Sequence, residues 1–281
     1  YNLTVQLSSG LGTYDEYTLP IGIRTVKVEG TDILLNGEKI ALKGFGRHED
    51  FPVTGRGTVP AVVIKDLSLM RWMGANCFRT AGYPVSEEVL SLADRMGWLV
   101  IDESPVAGLC FAGIGLEKRY NLARQITKEF VARDRNHPSV IMWSLAGEPH
   151  SRRGASKLFL DRMRRDAYDL DNTRPFTVVS MVGLDESAFD SLDVVCVNLH
   201  PAWDTQPGQM REGMNEFTSA LDAIHDKWDK PVIVTEVSGE AIAGHHALPS
   251  EMWSEEYQAE MIAGAVQALR NKPYVAGVLV G

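Results

Sequence analysis

From about residue 40 onward, eight short runs of β-branched or apolar residues alternate with longer stretches whose apolar positions recur every three or four residues. The runs lie at 40–44, 75–79, 99–103, 140–145, 176–180, 194–197, 232–235 and 275–280. Strands that alternate with helices make a parallel sheet, because a parallel connection needs a crossover long enough to hold a helix. Eight such strands close on themselves, so the pattern predicts a (β/α)8 TIM barrel, an α/β fold, over residues 40–281. The intervening stretches have helical spacing, as in Leu122, Ile126 and Phe130, or Tyr257, Met261, Ala265 and Leu269. Helices at 66–74 and 86–97 each run into a glycine, the residue that tolerates a left-handed helix end. The helix before the sixth strand should be short. The chain stops at Gly281, in or just after strand eight, leaving no residues for an eighth helix. Such a barrel would expose part of its outer wall, an invitation to self-association.

Residues 1–39 differ in style. Positions 1–7 alternate as an exposed strand does, and residues 32–39 read as a hairpin turning at Asn36-Gly37. This segment is expected to be the remnant of a preceding β-domain, with the hairpin closing the barrel from below.

The formal charge of −9 argues against a nucleic-acid partner, whose affinity comes from Lys and Arg neutralising phosphates. No run approaches the roughly 20 apolar residues of a membrane helix, and no signal peptide opens the chain, so a cytoplasmic protein without a membrane partner is expected. Cys77, Cys110 and Cys196 are odd in number and lack zinc-ligand spacing, which predicts buried free thiols. The doublet His245-His246 likewise lacks further ligands, so no metal site is expected.

Catalytic groups of a barrel sit at the C-terminal ends of its strands. Those ends carry Arg47, His48, Glu49 and Asp50, then Arg79, Asp102 and Glu103, Glu148, His200 and Glu236. Glu148 and Glu236 follow strands four and seven and would face each other across the mouth. A carboxyl pair of that kind cleaves glycosidic bonds, one member protonating the leaving oxygen and the other attacking the anomeric carbon. The chemistry needs no cofactor. Trp203, after strand six, could stack on a sugar or an aromatic ring.

The segments Gly44-Phe-Gly-Arg-His-Glu-Asp50, Gly74-Ala-Asn-Cys-Phe-Arg-Thr80, Val100-Ile-Asp-Glu-Ser104 and Arg133-Asp-Arg-Asn-His-Pro-Ser-Val-Ile-Met-Trp-Ser144 resemble the catalytic domain of the β-glucuronidases of glycoside hydrolase family 2. Thr173-Arg-Pro175, Thr235-Glu236, Ile242-Ala-Gly-His245 and Met252-Trp-Ser-Glu-Glu-Tyr-Gln258 continue the resemblance in the same order. It covers about residues 20–281. It implies a retaining glycosidase acting on a small-molecule β-glycoside, with Glu148 as acid/base and Glu236 as nucleophile. His48, Asp50, Arg79, Gly147, His200 and Trp203 would then line the substrate site.

The chain departs from that family at the strand ends. Gly147 stands where the family has the asparagine that donates to the sugar 2-hydroxyl, and Ala81-Gly82 replace Ser-His. His200-Pro201 replace two tyrosines, Val237-Ser238 replace Tyr-Gly after the nucleophile, and Val278 and Gly281 replace a glutamate and a tryptophan. The family's Asn-x-Lys motif would lie beyond Gly281. These losses predict weak glycosidase activity that Gly147→Asn should raise. They also admit an alternative: a repurposed or engineered barrel, in which a desolvated carboxylate serves as general base on a small aromatic substrate, or an inactive binding scaffold.

Overall fold

The computed structural model describes residues 1–152 and 154–281. Its N-terminal segment forms two small antiparallel sheets. Strands β1 (Asn2–Ser9) and β2 (Gly12–Pro20) pair as an exposed ribbon, of which sequence patterning showed only the first strand. Strands β3 (Val26–Glu29), β4 (Asp32–Leu35) and β5 (Glu38–Ile40) make the second sheet. Asn36 and Gly37 both take positive φ in the two-residue turn between β4 and β5, the conformation that an Asn-Gly hairpin requires.

Eight parallel strands then close the barrel: β6 (Leu42–Gly46), β7 (Cys77–Arg79), β8 (Leu99–Glu103), β9 (Val140–Gly147), β10 (Phe176–Ser180), β11 (Val195–Asn198), β12 (Val232–Val237) and β13 (Val275–Val280). The predicted first strand loses Ile40, which pairs with Ile33 in the small sheet. Strands β9, β11 and β12 each run beyond their predicted ends, carrying Gly147, Asn198 and Glu236 within hydrogen-bonded strands.

Six α-helices cover the barrel among the described residues: α1 (Pro60–Trp72), α2 (Glu87–Met96), α3 (Leu116–Asp134), α4 (Gly154–Tyr168), α5 (Met210–Trp228) and α6 (Glu255–Leu269). Helix α1 starts six residues before the predicted 66, at Pro60, whose fixed φ suits a first helical position. Gly97 ends α2 in the left-handed region as expected, and the Ser254 hydroxyl caps α6 by accepting from the Tyr257 amide. Between β10 and β11 stand only two 3-10 turns, Gly183–Asp185 and Ser187–Asp190, in keeping with the short connection predicted there.

Two apolar layers hold these elements. Inside the barrel pack Leu42, Cys77, Ile101, Met142, Cys196, Ile233 and Leu279, joined from below by Val26 and Ile33 of the small sheet. Between strands and helices lies a larger layer that includes Phe78, Trp98, Phe130, Trp143, Phe176 and Leu221. Each large side chain so buried contributes about 1.5–3 kcal/mol. Cys77 and Cys196 are buried free thiols, and burial pushes the Cys196 thiol up to about 12. Cys110 departs from expectation: it is exposed, because it lies in the loop after β8 rather than in a strand.

Candidate active site

The C-terminal ends of β7, β8, β9, β11 and β12 bring one cation, one amide and three carboxyl groups together. Residues alternate along β12, with Ile233 facing inward and Val234 outward. A register shift against both neighbouring strands then re-aims the chain, so that Glu236 reaches the mouth while Val237 returns to the outer apolar layer. The position after Glu236 therefore belongs to the packing behind the barrel rather than to the mouth.

Arg79, 4% exposed at the end of β7, forks between two acids. Its Nη2 donates to Glu236 Oε2 at 2.8 Å, and its Nη1 reaches both oxygens of Glu103 at 3.3 and 3.4 Å. Asn198, the last residue of β11, donates from Nδ2 to Glu148 Oε1 at 2.6 Å and to Glu236 Oε2 at 3.3 Å. The Thr235 hydroxyl donates to Asn198 Oδ1 at 2.9 Å, which turns the amide nitrogen toward the two carboxyl groups. Because one nitrogen serves both acids, their bonded oxygens lie no more than about 6 Å apart, which sets the two carboxyl groups as a pair at the mouth.

Glu148 follows β9 directly with φ of 47°, a left-handed backbone that a residue with a side chain adopts at a cost. Its amide donates to the Val179 carbonyl at 2.8 Å, which ties this strained turn to β10.

Gly147 does not leave a void. A Cβ built there would stand 2.6 Å from Glu103 Oε1, so the Glu103 carboxylate fills the space beside it. Glu103 is fully buried and accepts from the Gly82 amide at 2.6 Å and from the Ser144 hydroxyl at 2.7 Å, besides Arg79. An asparagine at 147 would have to displace a carboxylate held by three donors, which weighs against the expectation that Gly147→Asn raises activity. The neighbouring Asp102 points behind the barrel. Burial and the adjacent carboxylate of Asp134, which Arg133 clasps at 2.6 and 2.7 Å, hold its carboxyl well above the usual range.

Other sequence-predicted residues gather elsewhere. His48 and Asp50 are exposed and line a cavity of about 20 Å³ with Arg47, Glu49 and Asp66, room for one or two waters. Among the described residues no hydrogen bond joins either to Glu148 or Glu236. His200 Nδ1 lies 3.1 Å from the Ser238 carbonyl, which can only accept, so the proton sits on Nδ1. Trp203 is half-buried, edge-on to Trp253 at 4.9 Å between ring centres, with Gly239 packed against it. A cavity of about 1010 Å³ opens at the opposite end of the barrel, among the β1–β2 ribbon, Arg95 and His137, far from the carboxyl pair.

Sequence reasoning missed Asn198. The signal was present: it is the last residue of an otherwise apolar strand, the position that faces a barrel's mouth.

A closed parallel barrel with a carboxyl pair at the ends of its fourth and seventh strands defines a class, the (β/α)8 barrels built as glycoside hydrolases are. Residues 26–280 match the model of the glycosyl hydrolases family 2 TIM barrel domain, and the chain belongs to that family. A β-glucuronidase of Paenibacillus borealis is 40% identical over 99% of this chain and 48% of its own length. That of Homo sapiens is 37% identical over 100% of this chain and 44% of its own. The solved β-D-glucuronidase of Dictyoglomus thermophilum superposes with a TM-score of 0.95 at 38% identity, covering all of this chain and 50% of the other. One from Ruminococcus gnavus, solved in complex with uronic deoxynojirimycin, gives 0.95 at 36% over the same shares. The chain spans about half the length of the curated relatives it matches.

Proposed function

We propose that this barrel is the catalytic domain of a retaining β-glycosidase, with Glu236 as nucleophile and Glu148 as acid/base. The observation that supports the reading is the Asn198 amide, whose single nitrogen donates to both carboxyl groups and joins them as a close pair at the mouth. The hydrogen bonds divide the oxygens by task. Arg79 and Asn198 both donate to Glu236 Oε2, which leaves Oε1 to attack the anomeric carbon. Asn198 donates to Glu148 Oε1, which leaves Oε2 to carry the proton.

In the first step Oε1 bonds to the anomeric carbon as the glycosidic C–O bond breaks, and Glu148 gives its proton to the departing oxygen. In the second, Glu148 takes a proton from water, whose oxygen bonds to the anomeric carbon and releases Glu236. β-Glucuronides are the first substrates to try, because the relatives carry that name. Turnover is expected to be slow, since a missing transition-state contact to the sugar costs on the order of a hundredfold.

The general-base alternative has no observation in its favour. It needs a carboxylate in apolar surroundings, whereas Glu236 carries an ion pair and has 25% of its side chain exposed. The test is hydrolysis of 4-nitrophenyl β-D-glucuronide and β-D-glucoside, with the anomer of the first product read by NMR. Retention is expected, with loss of turnover in Glu236→Gln. An inverted product, or turnover unchanged in Glu236→Gln, refutes the assignment.

A further inference from the structure

The guanidinium that touches Glu236 is itself held from the other side. Arg79 Nη1 lies 3.3–3.4 Å from Glu103, whose own oxygens are fixed by the Gly82 amide and the Ser144 hydroxyl. Glu103 is fully buried and its acceptor sites are filled, so it cannot meet a substrate. Oε1 also lies close beside Gly147, 2.6 Å from where a Cβ would stand. Three separate elements, β8, β9 and the turn after β7, thus converge on the position of one carboxylate whose outward partner is Arg79.

We propose that Glu103 is a positioning residue for the nucleophile, setting the place of Glu236 through the shared Arg79 guanidinium. The inference rests on the reading of Glu236 as nucleophile. With Glu103 in place, the fork of Arg79 is held from both sides and presents Nη2 at a fixed point. Without the charge on Glu103, Nη1 loses its partner and the arginine is free to rotate onto Glu236 with both nitrogens. It would then engage Oε1 as well, the oxygen that must attack.

The probe is 2-deoxy-2-fluoro-β-D-glucuronyl fluoride, which transfers its sugar to the nucleophile as fluoride leaves, so that intact mass and peptide mapping follow one covalent step at Glu236. In Glu103→Gln the labelling rate should fall by about a hundredfold, the loss expected when a reacting group shifts by about an ångström. On 4-nitrophenyl β-D-glucuronide, kcat should fall while KM changes less than about twofold, because the substrate never touches Glu103. Glu103→Asp keeps the charge and protects folding but draws the carboxylate back from Arg79, and it should label at an intermediate rate. Glu103→Gln or Glu103→Asp variants that fold and label Glu236 at the parent rate overturn the proposal while leaving Glu236 as nucleophile. A parent chain that takes no label at Glu236 overturns the nucleophile itself, and the positioning role falls with it. A loss in thermal midpoint with unchanged labelling assigns Glu103 to packing alone and also overturns the proposal.

Discussion

Replacing Arg79 by methionine isolates what the buried guanidinium does for the fold. Methionine keeps much of the volume but removes the charge that lies between Glu103 and Glu236, both of which stay behind. Glu236 can turn to solvent, since a quarter of its side chain is exposed; Glu103 cannot, being fully buried. Removing one partner of a buried pair costs roughly 3–5 kcal/mol, mostly for the orphaned charge. Glu103 keeps the Gly82 and Ser144 donors, so the cost should fall at the lower end, about 3 kcal/mol. For a chain of this size that corresponds to a drop of roughly 6–12 °C in Tm. Urea denaturation at pH 7, followed by circular dichroism, measures the difference directly. Arg79→Met combined with Glu103→Gln should recover at least half of it, because the second change removes the orphaned charge. A loss below about 1 kcal/mol in the single variant, or no recovery in the double, would refute the ion-pair account.

Gly147→Asn should destabilise the fold by about 1–3 kcal/mol through overpacking against Glu103, and should lower rather than raise any turnover; a more stable or more active variant would show that Glu103 yields freely. Asp102→Asn should stabilise the chain at neutral pH. The carboxyl of Asp102 is held up by burial and by Asp134, so its protonated form favours the folded state at low pH and that stability is lost as pH rises through the folded value. The parent should therefore lose stability above about pH 4, the usual aspartate range, and the variant should lose less, as chemical denaturation across pH 4–8 would report. A thiol-specific dye should react at once with Cys110 and reach Cys77 and Cys196 only on unfolding; three fast thiols would contradict the packing inside the barrel.

The barrel was legible because its strands are apolar runs bounded by polar stretches, and β8, β10 and β13 fall where the alternation places them. Glu148 and Glu236 were legible for the same reason, as acids directly after such runs. What escaped depended on partners distant in sequence. Asn198 reads as an ordinary strand end until Thr235 orients its amide toward two acids on other strands. Gly147 reads as a lost side chain until Glu103, 44 positions earlier, proves to occupy the space. The neighbours of Trp203 escaped likewise, because Gly239 and Trp253 reach it from 36 and 50 residues further on.

The backbone of Glu148 has its own consequence. At φ of 47° glycine would be at ease, and a residue with a side chain sacrifices stability of about 1 kcal/mol or more to stand there. Natural variation driven by thermostability alone would drift toward glycine at this site. A stability screen across position 148 should therefore rank glycine above glutamate, the strain being what it costs to set a carboxyl where the Asn198 amide meets it.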